Sequence, residues 1–158
     1  MVSAPLPAEG HELDSKVRLR LWIRLLRASR QIEKVTRERL KSQFNATLPR
    51  FDVMAALYRK PNGMLMGEIS RFLMVSNGNV TGIVDRLVSD GLVARSQRDG
   101  DRRTCFVRLT RKGCAAFVEM AAAHESWIDE LLSGIPMRDA EQLSAKLKVF
   151  KSGWESES

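Results

Sequence analysis

Apolar residues recur at helical spacing along most of the chain, and the breaks between periodic stretches mark out its elements. From about Glu12 to Asn45 neither glycine nor proline intervenes, which predicts one unusually long helix. At the 3.6-residue period Val17, Leu21, Leu25, Ala28, Ile32 and Val35 share one face, while Leu19, Trp22, Ile23 and Leu26 fall roughly opposite. A surface helix needs one apolar stripe. This one carries two in its first half, so it is either sandwiched between two neighbours, one of them another chain, or central within one monomer.

Thr47 with Pro49 close behind suits a helix start. Phe51, Met54, Leu57 and Tyr58 form its apolar face, and the turn Pro61-Asn62-Gly63 ends it. A shorter helix follows around Gly67–Leu73, with Ile69, Phe72 and Leu73 apolar. It has no Ser or Thr at its start, so a frayed first turn is expected. Ser76 is a good N-cap for a third helix to Asp90, stopped by Gly91. Leu92–Ser96 and Thr104–Leu109 alternate as the strands of a hairpin. Thr110 caps a long helix to about Leu132, Gly134 and Pro136 break it, and a last helix runs from about Met137 to Phe150.

The stretch SNGNVTGIVDRL, Ser76 to Leu87, carries the most informative chemistry. Val80, Ile83, Val84 and Leu87 follow i, i+3, i+4, i+7 and point to a core. Opposite lie Gly78, Gly82 and Asp85, flanked by Asn77, Asn79, Thr81 and Arg86. Two helical glycines cost about 1 kcal/mol each relative to alanine, which a merely solvated helix has little reason to bear. Absent side chains let a backbone approach another surface closely, and a DNA groove is such a surface. Asn and Thr reach base edges or phosphates, and Arg86 a phosphate.

Three short helices followed by a basic hairpin is the order of a winged helix–turn–helix. The fold class expected is therefore mainly α with a small two-stranded β-wing, combining that module with a helical dimerisation region. Arg98, Asp101, Arg102 and Arg103 sit at the hairpin tip. An arginine there points to the minor groove, and Asp101 steers Arg103 by a charge-assisted hydrogen bond. The competing reading is a surface ion pair worth about 0–1 kcal/mol that says nothing of function.

Charge agrees with this placement. The 158 residues hold 26 Lys and Arg against 19 Asp and Glu, net +7. That total by itself only favours a polyanionic partner. Its distribution says more: Lys16 to Lys41 contains ten basic residues against Glu33 and Glu38, and acids predominate after Gly113. Cys105 and Cys114 make no disulfide framework, and with His11 and His124 they give no zinc spacing. No cofactor is implied. No nucleophilic triad, paired carboxylates or phosphate-cradling glycine loop stands at usable spacing, so an enzyme is not expected. MVSAPLPAEGHELDSK lacks the basic start and apolar core of a signal peptide, and no apolar run nears the ~18 residues of a membrane helix. A cytoplasmic chain with no membrane partner is expected.

The run VSNGNVTGIVDRLVSDGLVARSQRDGDRRTCFVRLTRKG resembles the DNA-binding core of the MarR family of bacterial transcriptional regulators. The family's wing signature, Asp-x-Arg followed by an apolar strand and Leu-Thr-x-x-Gly, stands here as Asp101-Arg102-Arg103 … Leu109-Thr110-Arg111-Lys112-Gly113. The likeness spans roughly Leu13 to Phe150. It implies an obligate homodimer built from the first and last helices, a palindromic double-stranded DNA operator, and a small-molecule ligand that weakens DNA binding. The division expected is an arm over 1–11, a first dimerisation helix over 12–45, the winged module over 46–112, C-terminal dimerisation helices over 113–153 and a tail over 154–158. The resemblance places the effector between the paired helices and the winged module, with Arg18, Trp22, Leu25, Phe51, Met54, Phe117, Met120 and His124 as candidates. LPRFDVMAALYR and LMVSNGNVTGIVDRL look like the branch responding to aromatic acids or their coenzyme A thioesters. That suggests a repressor released by an anionic aromatic catabolite or its thioester. The alternative is a non-sequence-specific, nucleoid-type binder. Relatives that sense oxidants carry a cysteine in the first helix; this chain has none there, and Cys105, in line with Val107 and Leu109, reads as a small buried hydrophobe, as does Cys114.

Overall fold

The computed structural model describes residues 9–98 and 101–155, with side chains over 13–97 and 104–149. In chain order the elements are α1 (Glu9–Phe44), α2 (Leu48–Tyr58), β1 (Met64–Leu65), α3 (Met66–Leu73), α4 (Asn77–Ser89), β2 (Val93–Arg98), β3 (Asp101–Leu109), α5 (Arg111–Leu132) and α6 (Met137–Glu155). They divide into two compact units, one reaching to Met120 and one from Ala121. The chain is mainly helical with a small antiparallel sheet, as expected, and α1 starts three residues before Glu12.

Local chemistry accounts for most boundaries in the first unit. α1 ends where Asn45 takes the left-handed conformation (φ 49°), so that Asn45 N and Ala46 N donate to the carbonyls of Lys41 and Leu40, both at 3.2 Å. Thr47 Oγ1 accepts from Arg50 N at 3.4 Å and caps α2. α2 packs on α1, α3, α4 and β3 and buries Phe51, Val53, Met54, Ala56 and Leu57. Tyr58, expected on that face, is 47% exposed, with its ring centroid 4.9 Å from that of Phe117. The uncapped start expected for the next helix is compensated: Glu68 accepts from Leu65 N at 2.7 Å. Leucine has no side-chain acceptor, so this is half of a capping box.

The wing contains a strand that periodicity did not reveal. β1 pairs with β3 as Met64↔Val107 and Leu65↔Phe106, and the sheet order is β1-β3-β2. Two residues are too few to display an alternation, and their pairing needs a partner some forty positions away. Gly63 makes the approach feasible, because its φ is 93° and a Cβ there would lie 3.0 Å from the Val107 carbonyl oxygen. Gly113, at the start of α5, is tighter still: a Cβ would overlap the Leu92 carbonyl, which accepts from Thr110 N at 3.0 Å. Thr110 Oγ1 accepts from Gly113 N at 3.0 Å and donates to the Gly91 carbonyl at 2.7 Å, capping α5 as read.

In the second unit the end of α5 and the start of α6 flank an open cleft of about 850 Å³ lined by Ile128, Leu132, Ile135 and Met137 among others. Leu143, Leu147 and Val149 of α6 are exposed. Among the described residues no helix is long and apolar enough to cross a membrane.

Candidate nucleic-acid interface

α4 separates its two faces sharply. Val80, Val84 and Leu87 are fully buried, and Ile83 is half-buried. On the other side Ser76, Asn77, Gly78, Asn79, Thr81, Gly82 and Arg86 are all exposed. Ser76 Oγ accepts from Asn79 N at 3.4 Å, so the cap is formed. Thr81 Oγ1 donates to the Asn77 carbonyl at 3.0 Å, and a Cβ added at Gly78 or Gly82 meets nothing within 4 Å. The outer surface of this helix carries two stretches of bare backbone at Gly78 and Gly82, with short polar groups and the longer Arg86 around them.

Three contacts set the helix in place, and sequence reasoning found none of them. Asp85, on the outer face, pairs with Arg95 of β2 at 2.5 Å. Asp90, the C-cap of α4, forms an ion pair with Arg50 of α2, and its carbonyl accepts from Lys112 Nζ at 2.8 Å. An anionic side chain at a helix C-terminus opposes the helix dipole; the two cations offset it. The alternation of Arg95 along its strand was the one visible signal. In the wing, β2 and β3 run antiparallel to Arg98↔Asp101, with an irregularity between Gln97 and Arg98. The side chains of Arg98, Asp101, Arg102 and Arg103, and the steering of Arg103 by Asp101, lie outside the described residues.

The ligand candidates divide. Phe51, Met54, Phe117 and Met120 are buried together in the first unit, the rings of Phe51 and Phe117 being 5.6 Å apart. Met54 and Met120 line a cavity of about 280 Å³ with Arg50, Asp90 and Glu119. Arg18, Trp22 and Leu25 do not line it. Arg18 and Trp22 are exposed on α1 and Leu25 is half-buried. His124 belongs to the second unit, half-buried, with its ring 6.5 Å from Trp127; burial lowers its pKa below the ordinary histidine value. Cys105 and Cys114, expected as buried hydrophobes, are half-buried instead. Cys105 sits four residues out along β3 from Leu109, toward the tip of the hairpin. Among the described residues no cluster of His, Cys, Asp or Glu is able to hold a metal.

A helix pair feeding an exposed, glycine-bearing third helix, followed by an antiparallel hairpin, defines a winged helix–turn–helix module. The model of the MarR family matches residues 46–105. The transcriptional activatory protein BadR of Rhodopseudomonas palustris is 32% identical over 72% of this chain and 66% of its own length. The regulator MhqR of Bacillus subtilis is 30% identical over 82% of this chain and 88% of its own. A MarR-family regulator from Silicibacter pomeroyi superposes with a TM-score of 0.74 at 31% identity, covering 89% of this chain and 97% of that one. The chain belongs to the MarR family of transcriptional regulators. It is a DNA-binding regulator and not an enzyme.

Proposed function

We propose that the chain represses transcription by binding a palindromic operator as a cytoplasmic homodimer, and that an anionic aromatic catabolite or its coenzyme A thioester releases it. The observation that carries the DNA reading is the outer face of α4, where Gly78 and Gly82 leave the backbone open to a close approach. Asn77, Asn79 and Thr81 then meet base edges, Ser76 and Arg86 phosphates, and Arg98, Asp101, Arg102 and Arg103 carry the wing to the minor groove. Homodimerisation is supported by α1, where Val17 is 56% and Trp22 58% exposed, and by α6, where Val149 is 73% exposed; continuous apolar faces of this kind call for a covering surface. BadR is a transcriptional activatory protein; for this chain repression is proposed. The effector is assigned to Phe51, Met54, Phe117 and Met120, with Arg18, Trp22, Leu25 and His124 as the further candidates that the family resemblance implies.

The decisive measurement compares operator with random duplex at fixed salt. A ratio of about 10³ or more is expected, and equal affinities would establish the nucleoid-type alternative. Half-sites are expected about one duplex turn apart, roughly 34 Å, as two-fold symmetry requires. Arg103→Ala should weaken operator binding by up to about 3 kcal/mol while the fold stays intact; undiminished affinity removes the wing from the reading. A hydroxycinnamoyl-type thioester and its free acid, titrated against the protein–operator complex, test the effector: release by neither defeats that part.

A further inference from the structure

Most cations of α1 have no part in the contacts proposed above. At the 3.6-residue period the two apolar faces of its first half take up two arcs of the helix surface. Arg20, Arg24, Arg27, Arg30, Lys34 and Lys41 share the arc that remains, and Glu38 is the only acid on it between Arg20 and Lys41. All of these cations are exposed. Lys41 Nζ donates to Asn45 Oδ1 at 2.7 Å, a neutral acceptor that leaves its charge unbalanced. Among the described residues the others have no carboxylate partner. Like charges spaced three and four residues apart repel and weaken a helix, whereas a merely solvated face gains by alternating the sign. The stripe runs roughly 30 Å along one straight element at 1.5 Å per residue, and repulsion along its length is relieved by a polyanion.

Its C-terminal end arrives beside the face assigned to DNA. Lys41 of α1 and Asn79 of α4 line the same cavity, of about 670 Å³, under Ile83. A duplex seated on α4 therefore passes the end of the stripe. Arginine predominates along it, and its planar fork meets phosphate oxygens bidentately. With both apolar faces of α1 given to pairing, only charge faces outward, so a membrane-surface helix would lack the apolar side it has to bury. We infer that this stripe binds the phosphate backbone of duplex flanking the operator, without reading its sequence. The inference rests on the α4 reading and adds a contact that needs no base edge.

Fluorescence anisotropy over a salt series tests it, using the full chain and an operator that the chain selects from random-sequence duplex. A short probe carries the two half-sites alone. A long probe adds about twelve base pairs of arbitrary sequence on each side, enough at 3.4 Å per pair to span the stripe. Flanks should raise parental affinity about tenfold or more near 0.1 M salt and steepen the slope of log K against log salt by about 3 or more. The variant Arg20→Gln/Arg24→Gln/Arg27→Gln/Lys34→Gln should bind both probes as the parent binds the short one, because charges more than about 10 Å from a phosphate are screened at that salt. Its altered side chains are exposed, so it should melt as the parent does. Gly82→Leu should lose both probes; parental binding of both would overturn the α4 reading itself. Equal parental affinity for the two probes, or a flank gain that survives the quadruple variant, overturns the stripe and leaves α4 standing. So does a loss in that variant as large on the short probe as on the long one, which would assign the cations to the operator. Variant-sensitive sedimentation onto phosphatidylserine vesicles without any flank gain would give the stripe to a lipid surface and overturn the inference likewise.

Discussion

Replacing Gly82 with leucine separates the folding role of α4 from its binding role. Gly82 lies inside a regular helix, is exposed, and an added Cβ meets no atom within 4 Å. No packing penalty therefore offsets the gain in helix propensity, about 0.5–1 kcal/mol for glycine to leucine. For a chain of this size 1 kcal/mol corresponds to roughly 2–4 °C in Tm, so the variant should melt about 1–4 °C higher than the parent. Against DNA the sign reverses. A branched side chain standing where backbone has to approach a groove costs about 1–3 kcal/mol, as overpacking does in a protein interior, or roughly 5- to 150-fold in affinity. Thermal melts beside fluorescence anisotropy with an operator duplex at fixed salt read both quantities. A raised Tm excludes unfolding as the cause of lost binding. Parental operator affinity in the leucine variant would refute the assignment of this face to DNA. Gly82→Ala should show the same stabilisation with a smaller loss.

Asp52 titrates above the ordinary carboxylate value, first because it is half-buried and so partly desolvated, and second because of the charge of Glu33. Its protonated form is thus favoured by the fold: that stability is fully present below the unfolded value of 3.8 and is lost as pH rises through the raised folded value. Asp52→Asn should raise Tm at neutral pH, with the gain shrinking as the buffer is acidified toward 3.8; a pH-independent gain would mean packing and not charge. Thr36 is buried and its Oγ1 has no hydrogen-bond partner. Thr36→Val keeps the β-branch, so it should be neutral or stabilising by about 1 kcal/mol in chemical denaturation, and a clear loss would show that the hydroxyl is bonded. Gly113→Ala drives a methyl into the Leu92 carbonyl and should cost about 1–3 kcal/mol; an unchanged Tm would contradict the close approach.

The sequence by itself determined the parts of this protein whose causes lie within a helical turn. Thr47, Ser76 and Thr110 cap their helices because each presents a side-chain oxygen to an amide N–H three residues ahead, and the stripe Val80, Val84, Leu87 is buried as its spacing requires. The exposed polar face of α4, proposed above to meet DNA, follows from the same periodicity. Tertiary structure decided what depends on residues distant in sequence. β1 exists only because β3 lies beside it, and Asp90 meets Arg50 across forty positions. Asp85, which periodicity places on the outer surface, is held by Arg95. The cavity under Ile83 joins side chains from three helices, none of which announces it alone. Phe51 and Phe117 are neighbours, whereas Arg18 and Trp22, grouped with them by resemblance, stay outside the cavity lined by Met54 and Met120. Hydrogen bonding and periodicity within a helix are paid for locally, whereas a contact between distant segments forms only after the chain has closed, so its geometry is a property of the packed molecule.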